Sequence, residues 1–187
     1  MKNALILHGT ENDSSGNWFQ WLKKQLESRG FEVWVPDLPN SEMPDAEKYN
    51  NLLLNHGFIF NEETVLVGHS SGAVSILNLL AELPADVKIR AAFLVGAFKG
   101  PLNKETRSKL FPKPFNFEQL KTHCNKFVFV HSDNDPYCPL SDAEFLANKL
   151  DGDLMVKKGQ GHFNLDASPN YKQFPVLLEL IKKEIGN

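Results

Sequence analysis

The chain has 187 residues, which is enough for one well-packed domain and few for two. Hydrophobic residues make up 42% of it, charged residues 23%, and the formal net charge is −3. Without an excess of basic residues we expect no binding to nucleic acid. No apolar run approaches the roughly 20 residues of a membrane helix, so we expect no membrane partner. We therefore predict a single globular domain over residues 1–187.

The N-terminus is basic and then apolar, as in a signal peptide, but its apolar stretch spans only residues 4–7. A secretory signal needs roughly 7–15 apolar residues. We therefore interpret the stretch as a buried strand of a cytoplasmic protein. The two cysteines, Cys124 and Cys138, form no disulfide framework or metal cluster, which fits a reducing compartment.

Short apolar runs alternate with amphipathic segments along the whole chain. The runs are rich in Val, Leu, Ile and Phe and are bounded by Gly, Pro, Asn or Asp, as strands are. They predict strands at residues 4–7, 32–35, 64–67, 91–95, 127–130 and 154–156. A first helix carries an apolar stripe at three- and four-residue steps, formed by Trp18, Trp21, Leu22, Gln25 and Leu26. Further helices are predicted at residues 45–55, 71–82, 116–123, 141–150 and 175–185.

This order of elements predicts the fold class. Continuous apolar strands without alternation indicate a sheet that is covered on both faces, and hence a parallel sheet. Strand–helix repetition at this spacing implies right-handed crossovers. We therefore predict an α/β protein, a three-layer α/β/α sandwich around a mainly parallel six-stranded sheet.

The third predicted strand runs directly into a Gly-x-Ser-x-Gly sequence at residues 68–72, and a predicted helix follows. A strand, a sharp turn and a helix are the context of a nucleophile elbow, which exposes the serine hydroxyl. Gly68 and Gly72 are small because this turn brings the backbone and its neighbours close together. The position of the motif, more than its bare pattern, indicates Ser70 as a nucleophile.

A serine hydroxyl needs a base to take its proton. Among the six histidines, His162 lies in a glycine-rich loop directly after the last predicted strand. Because loops after parallel strands meet at one edge of the sheet, His162 is able to reach Ser70. His8 and His69 are interpreted as structural residues beside the site. No His-Glu-x-x-His spacing occurs, so we expect no catalytic metal.

The third member of such a triad lies between the serine and the histidine in chain order. Asp133 and Asp135 both follow the fifth predicted strand, and both are candidates. Asp135 is preferred because the step to Pro136 turns the chain away and projects the carboxylate over the sheet edge. Asp133 is interpreted as a turn residue that accepts hydrogen bonds from nearby backbone.

An oxyanion hole needs two backbone donors. One is the N–H of Ser71, which follows the nucleophile at the start of a helix. The other is expected from the loop after the first strand, where Thr10 is the natural donor.

These motifs resemble those of the YdeN-like small serine hydrolases, the group that includes the retinoblastoma-binding serine hydrolase. The likeness covers nearly the whole chain, at residues 7–9, 17–24, 36–40, 68–72, 133–139 and 161–163. The resemblance implies a compact α/β-hydrolase core without a large lid, a triad of Ser70, Asp135 and His162, and no cofactor. Many members carry an aliphatic residue where this chain has Cys138, a difference that concerns packing.

The connection at residues 97–116 is long and shows little regular pattern, and long connections are often functional. It carries one acid, Glu105, against five cations: Lys99, Lys104, Arg107, Lys109 and Lys113. The segment is either a solvated surface loop or a short rim over the active site. As a rim it would steer anionic substrates toward the site, an effect that salt weakens.

The leading functional hypothesis is hydrolysis of a small carboxylic ester or thioester through an acyl-enzyme. Short acyl groups of roughly two to six carbons are expected, since no large insertion encloses a longer chain. Acyl transfer to an alcohol or amine shares the acyl-enzyme and is not separated from hydrolysis by sequence. A binding protein on the same fold is disfavoured by the complete Ser–Asp–His order, and the sequence names no protein partner.

Overall fold

The computed structural model of the protein describes residues 1–102 and 105–186. Its strands are β1 (Asn3–Leu7), β2 (Glu32–Trp34), β3 (Val65–His69), β4 (Ala91–Val95), β5 (Phe127–Ser132) and β6 (Asp153–Lys157). Its α-helices are α1 (Phe19–Glu27), α2 (Ala46–Asn55), α3 (Ser71–Leu80), α4 (Phe117–His123), α5 (Leu140–Lys149) and α6 (Pro175–Ile185). Two 3-10 helices span Glu105–Leu110 and Pro169–Lys172.

The six strands form one sheet in the order β2-β1-β3-β4-β5-β6, and every neighbouring pair is parallel. The predicted α/β sandwich is confirmed, with a sheet that is fully rather than mainly parallel. Four strands extend beyond their predicted bounds: β1 and β6 by single residues at their ends, and β3 and β5 by two residues at their C-terminal ends. In β3 and β5 the extension occurs because pairing with a neighbour continues through polar residues. His69 at the end of β3 is in register with Val95, and Ser132 at the end of β5 is in register with Lys157.

Both faces of the sheet are covered, which explains why the central strands lack alternation. Successive side chains of a strand point to opposite faces. In β1, Ile6 belongs to the core that includes Leu22 of α1 and Ile181 of α6. Leu7 belongs to the opposite core, which α2, α3, α4 and α5 complete. Every residue of β1, β3, β4 and β5 is therefore buried.

All strands end at the same edge of the sheet, and the loops that follow them carry the predicted site. The strand order reverses between β1 and β3, and open α/β sheets bind ligands at such a switch point. The connection after β4 is more regular than predicted, since residues Glu105–Leu110 form a 3-10 helix with Arg107 and Leu110 buried. Lys104, predicted to belong to the cationic rim, lies outside the described residues.

Within the described part of the chain, none of the helices combines the length and the apolar character that crossing a membrane would require. Cys124 and Cys138 are both buried, and both thiols are free.

Candidate active site

Ser70 occupies a strained turn between β3 and α3. Its backbone has φ 56° and ψ −122°, and a positive φ is uncommon for a residue other than glycine. The Ser70 N–H donates to the carbonyl of Val95 at 2.8 Å. The flanking glycines make the turn possible. A Cβ on Gly68 would lie 2.6 Å from the backbone of Ala73, and one on Gly72 would lie 2.5 Å from the carbonyl oxygens of Leu7 and His8.

His162 and Asp135 meet beside this turn. His162 Nδ1 donates to Asp135 Oδ2 at 2.6 Å, and the Asp135 side chain is completely buried. Asp135 Oδ1 accepts from the backbone N–H groups of Tyr137 and Cys138, at 2.9 and 3.0 Å. With the proton on Nδ1, the Nε2 atom of His162 is left as a proton acceptor.

The charge state of Asp135 follows from its contacts. Burial by itself raises the pKa of this carboxyl. The hydrogen bond and charge of His162, together with the two backbone donors, outweigh burial and hold the pKa of Asp135 below its ordinary value. The carboxylate therefore stays ionised and able to stabilise an imidazolium.

Ser70 and His162 line one cleft of about 190 Å³. The cleft is also lined by Gly9, Thr10, Glu11, Asn12, His69, Arg107, Tyr137, Asn164 and Asp166. Among the described residues no hydrogen bond joins Ser70 to His162, and in unliganded enzymes this contact often tightens only when substrate binds. The Ser70 hydroxyl lies instead against the Cys138 thiol.

The two predicted oxyanion donors are close together. Thr10 Oγ1 donates to Ser71 Oγ at 3.0 Å, which ties the loop after β1 to the start of α3. In the described structure neither backbone N–H of these two residues donates to a protein acceptor. Unpaired N–H groups beside a nucleophile are what a developing oxyanion requires.

The loop that carries His162 accepts hydrogen bonds from two side chains much earlier in the sequence, His69 and Trp18. His69 Nε2 donates to the carbonyl of His162 at 2.7 Å, and the two imidazole rings lie 4.7 Å apart. Trp18 Nε1 donates to the carbonyl of Phe163 at 3.0 Å. As a member of the predicted apolar stripe, Trp18 had only a packing role. Its indole N–H was the missed signal, because a buried tryptophan usually finds an acceptor.

Asp133 does not contact His162. Its Oδ1 accepts from the N–H of Gly159 at 2.7 Å, and Asn134 Oδ1 accepts from the N–H of Gly161 at 2.8 Å. These bonds connect the loop after β5 to the loop after β6. Asp133 therefore acts between loops, rather than within its own turn as predicted.

His8 lies behind the cleft. Its Nδ1 donates to the carbonyl of Gly9, and its Nε2 accepts from the N–H of Leu38, both at 2.9 Å. Burial lowers the pKa of His8, so the ring is a neutral bridge between two loops.

Three potential metal ligands lie within 4.8 Å of one another, from Asp135, Cys138 and His162. The hydrogen bond between His162 and Asp135 already engages two of the three side chains. Burial, reinforced by the charge of Asp135, raises the pKa of the Cys138 thiol. A protonated thiol is a poor metal ligand, so this arrangement fits a hydrogen-bonded triad better than a metal centre.

The buried imidazole of His69 should make stability depend on pH. Burial, followed by the charge of His162, lowers the pKa of His69 from 6.5 to about 3. Between these values the unfolded chain binds a proton that the folded protein does not, so stability falls as the pH falls. We expect His69→Asn to reduce the slope of the unfolding free energy against pH between pH 4 and 6 by up to about 1.4 kcal/mol per pH unit.

The measurement is urea unfolding of the wild type and of His69→Asn at several pH values. Asparagine does not titrate and is smaller than histidine, so the substitution removes the proton-binding group without adding atoms to the core. An unchanged slope in that folded variant would contradict a neutral, buried His69.

The structure has the α/β-hydrolase fold. Its parallel sheet carries a strained serine turn after β3, and the loops after β5 and β6 carry the Asp–His pair. The sequence model of the serine hydrolase family matches residues 4–183, and the chain belongs to that family. The resemblance seen in the motifs is therefore confirmed, and the protein is a hydrolase by family.

Two relatives show the extent of the likeness. YdeN of Bacillus subtilis is 26% identical over 181 residues, which cover 96% of this chain and 94% of that protein. The serine hydrolase RBBP9 of Rattus norvegicus is 27% identical over 159 residues, which cover 83% of each.

Two solved structures extend the comparison. The crystal structure of the ydeN gene product of B. subtilis matches with a TM-score of 0.93 at 25% identity, and the match covers both chains completely. Est1E of Butyrivibrio proteoclasticus matches with a TM-score of 0.71 at 14% identity, over 100% of this chain and 89% of that one. The second likeness concerns the fold alone.

Proposed function

We propose that the protein hydrolyses small carboxylic esters or thioesters through an acyl-enzyme on Ser70. In this proposal His162 is the general base and Asp135 orients it. One observation carries the proposal: His162 Nδ1 donates to the buried Asp135 carboxylate at 2.6 Å, in the cleft that Ser70 also lines. Family membership supports hydrolysis, and this geometry supports the assignment of roles.

The reaction follows from these positions. Ser70 Oγ attacks the ester carbonyl while His162 Nε2 takes the hydroxyl proton, and the oxyanion receives hydrogen bonds from the N–H groups of Thr10 and Ser71. Collapse of the tetrahedral intermediate breaks the bond to the alcohol or thiol, which leaves with the proton from His162. Water then attacks the acyl-enzyme by the same route, releasing the acid and restoring Ser70.

The dimensions of the cleft support small substrates. Its volume is about 190 Å³, below the roughly 300–1,000 Å³ typical of sites that enclose drug-sized ligands. Several of its walls are polar or charged, which offers little apolar surface to a long acyl chain. The two free, buried cysteines also support the reducing, cytoplasmic location that we propose for this activity.

A chain-length series tests this proposal. We expect kcat/KM for aryl esters of straight-chain acids to peak between roughly two and six carbons, because longer chains extend beyond the cleft. The rate should show no jump when the ester exceeds its solubility. The measurement is initial rates on acetate, butyrate, hexanoate, octanoate and decanoate esters, with Ser70→Ala as the background. A peak at eight or ten carbons would contradict the small cleft as the acyl site.

A further inference from the structure

Arg107 is a buried cation at the candidate active site that the reaction above does not use. It lies in the 3-10 helix after β4 and lines the same cleft as Ser70 and His162. The residue is only 9% exposed, and its Nε has no hydrogen-bond partner among residues 1–102 and 105–186. A buried guanidinium normally has its donors paired, since an unpaired buried charge is unfavourable.

The neighbouring cations of the same segment differ from Arg107. Each of the three others in the described structure forms an ion pair: Lys99 with Asp142 at 3.2 Å, Lys109 with Asp45 at 3.7 Å, and Lys113 with Glu82 at 2.9 Å. Among the described residues Arg107 forms no such pair. Of the cations in this connection that the structure describes, Arg107 is therefore the one that lines the cleft.

The acids with buried side chains, Asp135 and Asp142, are already engaged. Asp135 accepts from His162 at 2.6 Å, and Asp142 accepts from the backbone N–H of Lys99 at 3.2 Å in addition to its ion pair. The guanidinium carbon of Arg107 lies 5.7 Å from the centre of the Phe98 ring. This cation–π contact offsets part of the lost hydration but supplies no acceptor for the N–H groups.

The remaining acids of the cleft are at its rim. Glu11 and Asp166 are exposed, so water and salt screen their charges. A guanidinium presents a planar fork of donors that matches the two oxygens of a carboxylate or a phosphate. A ligand oxyanion would satisfy the donors that the protein leaves unpaired.

We propose that Arg107 binds an anionic group of the substrate, a carboxylate or a phosphate, and so directs the site toward short esters that carry a negative charge. This inference rests on the proposed ester hydrolysis. Because Ser70 and Arg107 share a cleft of about 190 Å³, the anion lies only a few bonds from the scissile carbonyl.

Matched ester pairs test the inference. On the acyl side, phenyl hydrogen succinate is compared with phenyl methyl succinate, which differs by one methyl group and the charge. On the alcohol side, 4-acetoxybenzoate is compared with its methyl ester. The measured quantity is the ratio of kcat/KM for the anionic ester to that for the neutral ester, for each pair and each variant.

We expect Arg107→Gln to lower this ratio about 10- to 100-fold for at least one pair, as loss of a charged hydrogen bond does. Arg107→Lys should restore part of the ratio, since the charge remains and the fork is lost. Lys109→Gln removes a neighbouring cation that does not line the cleft and should leave the ratio unchanged. The pair that responds identifies whether the anion belongs to the acyl or the alcohol part.

Two results would overturn the inference. One is an unchanged ratio for both pairs in a folded Arg107→Gln variant, and the other is an equal loss in Lys109→Gln. A change in thermal stability alone, with the ratio unchanged, would show that Arg107 only packs against Phe98. Absence of hydrolysis of every ester by the wild type would instead count against the proposed function.

Binding of amide analogues provides a readout that needs no turnover. We expect calorimetry to show that the wild type binds the acid more tightly than its methyl ester in at least one of two pairs. One pair is succinanilic acid, the amide analogue of phenyl hydrogen succinate, and its methyl ester; the other is 4-acetamidobenzoate and methyl 4-acetamidobenzoate. Arg107→Gln should remove the difference for at least one pair. Equal affinity of the wild type for acid and methyl ester in both pairs would overturn the inference even in an inactive protein.

Discussion

Replacing Ser70 with alanine is expected to lower kcat for ester hydrolysis by about 10⁶-fold, as loss of the nucleophile does in other triads. The reason is that the proposed acyl-enzyme requires the hydroxyl, while the variant keeps the N–H groups of Thr10 and Ser71 that are proposed to stabilise the oxyanion. The same variant should lose all labelling by a fluorophosphonate probe, which reacts with activated serines. Intact-mass spectrometry should show one adduct per wild-type chain, and peptide mapping should place it on Ser70.

A serine of α3, the helix that follows Ser70, provides the control. Ser75 is buried and donates to the carbonyl of Ser71 at 2.8 Å, away from the cleft lining. Ser75→Ala should be labelled like the wild type. Labelling that persists in Ser70→Ala, or that is absent from a folded wild type, would remove Ser70 as the nucleophile.

The two aspartates after β5 should respond very differently to the same substitution. Asp135→Asn should lower kcat by up to about 10⁴-fold with the fold retained, because an amide no longer holds the Nδ1–H tautomer of His162 or stabilises its cation. Asp133→Asn should have a far smaller effect. Its new side chain keeps an oxygen for the N–H of Gly159, which Asp133 now contacts at 2.7 Å.

The measurement is kcat of both variants on a short aryl ester, from steady-state kinetics. Circular dichroism establishes that each variant is folded. A large loss in Asp133→Asn together with a small one in Asp135→Asn would mean that the orienting acid has been assigned to the wrong residue. Equal losses would indicate that the loop connection between β5 and β6, rather than a specific carboxylate, supports catalysis.

Much of the architecture was evident in the sequence, because the signals for it are local. Buried parallel strands read as continuous apolar runs, and the strand–turn–helix around Ser70 is a short motif whose small residues are sterically required. The C-terminal ends of β3 and β5 were not predicted, because the local apolar signal stops before them. His69 and Ser132 are polar, and they belong to strands only because neighbouring strands continue to pair with them.

The contacts of the site were decided by the tertiary structure. The sequence supplied Asp133 and Asp135 as candidates, and the fold places Asp135 against His162, 27 residues away, while Asp133 bonds to another loop. The donors to the carbonyls of His162 and Phe163 come from His69 and Trp18, 93 and 145 residues distant. Hydrogen bonds between residues so far apart in the chain produce no periodic pattern in the sequence, so no sequence pattern predicts them.

The cations of residues 97–116 show most clearly what the sequence determines and what only the tertiary structure decides. The sequence by itself determined that residues 97–116 are rich in cations. It could not determine which of those cations have partners, since Asp45, Glu82 and Asp142 lie on other elements that only folding brings near. Composition sets how much charge a segment carries, whereas burial and pairing set what that charge is free to bind. Arg107 lines the cleft and forms no ion pair with any acid of the described structure, because the fold buries it there without bringing one of those acids to it.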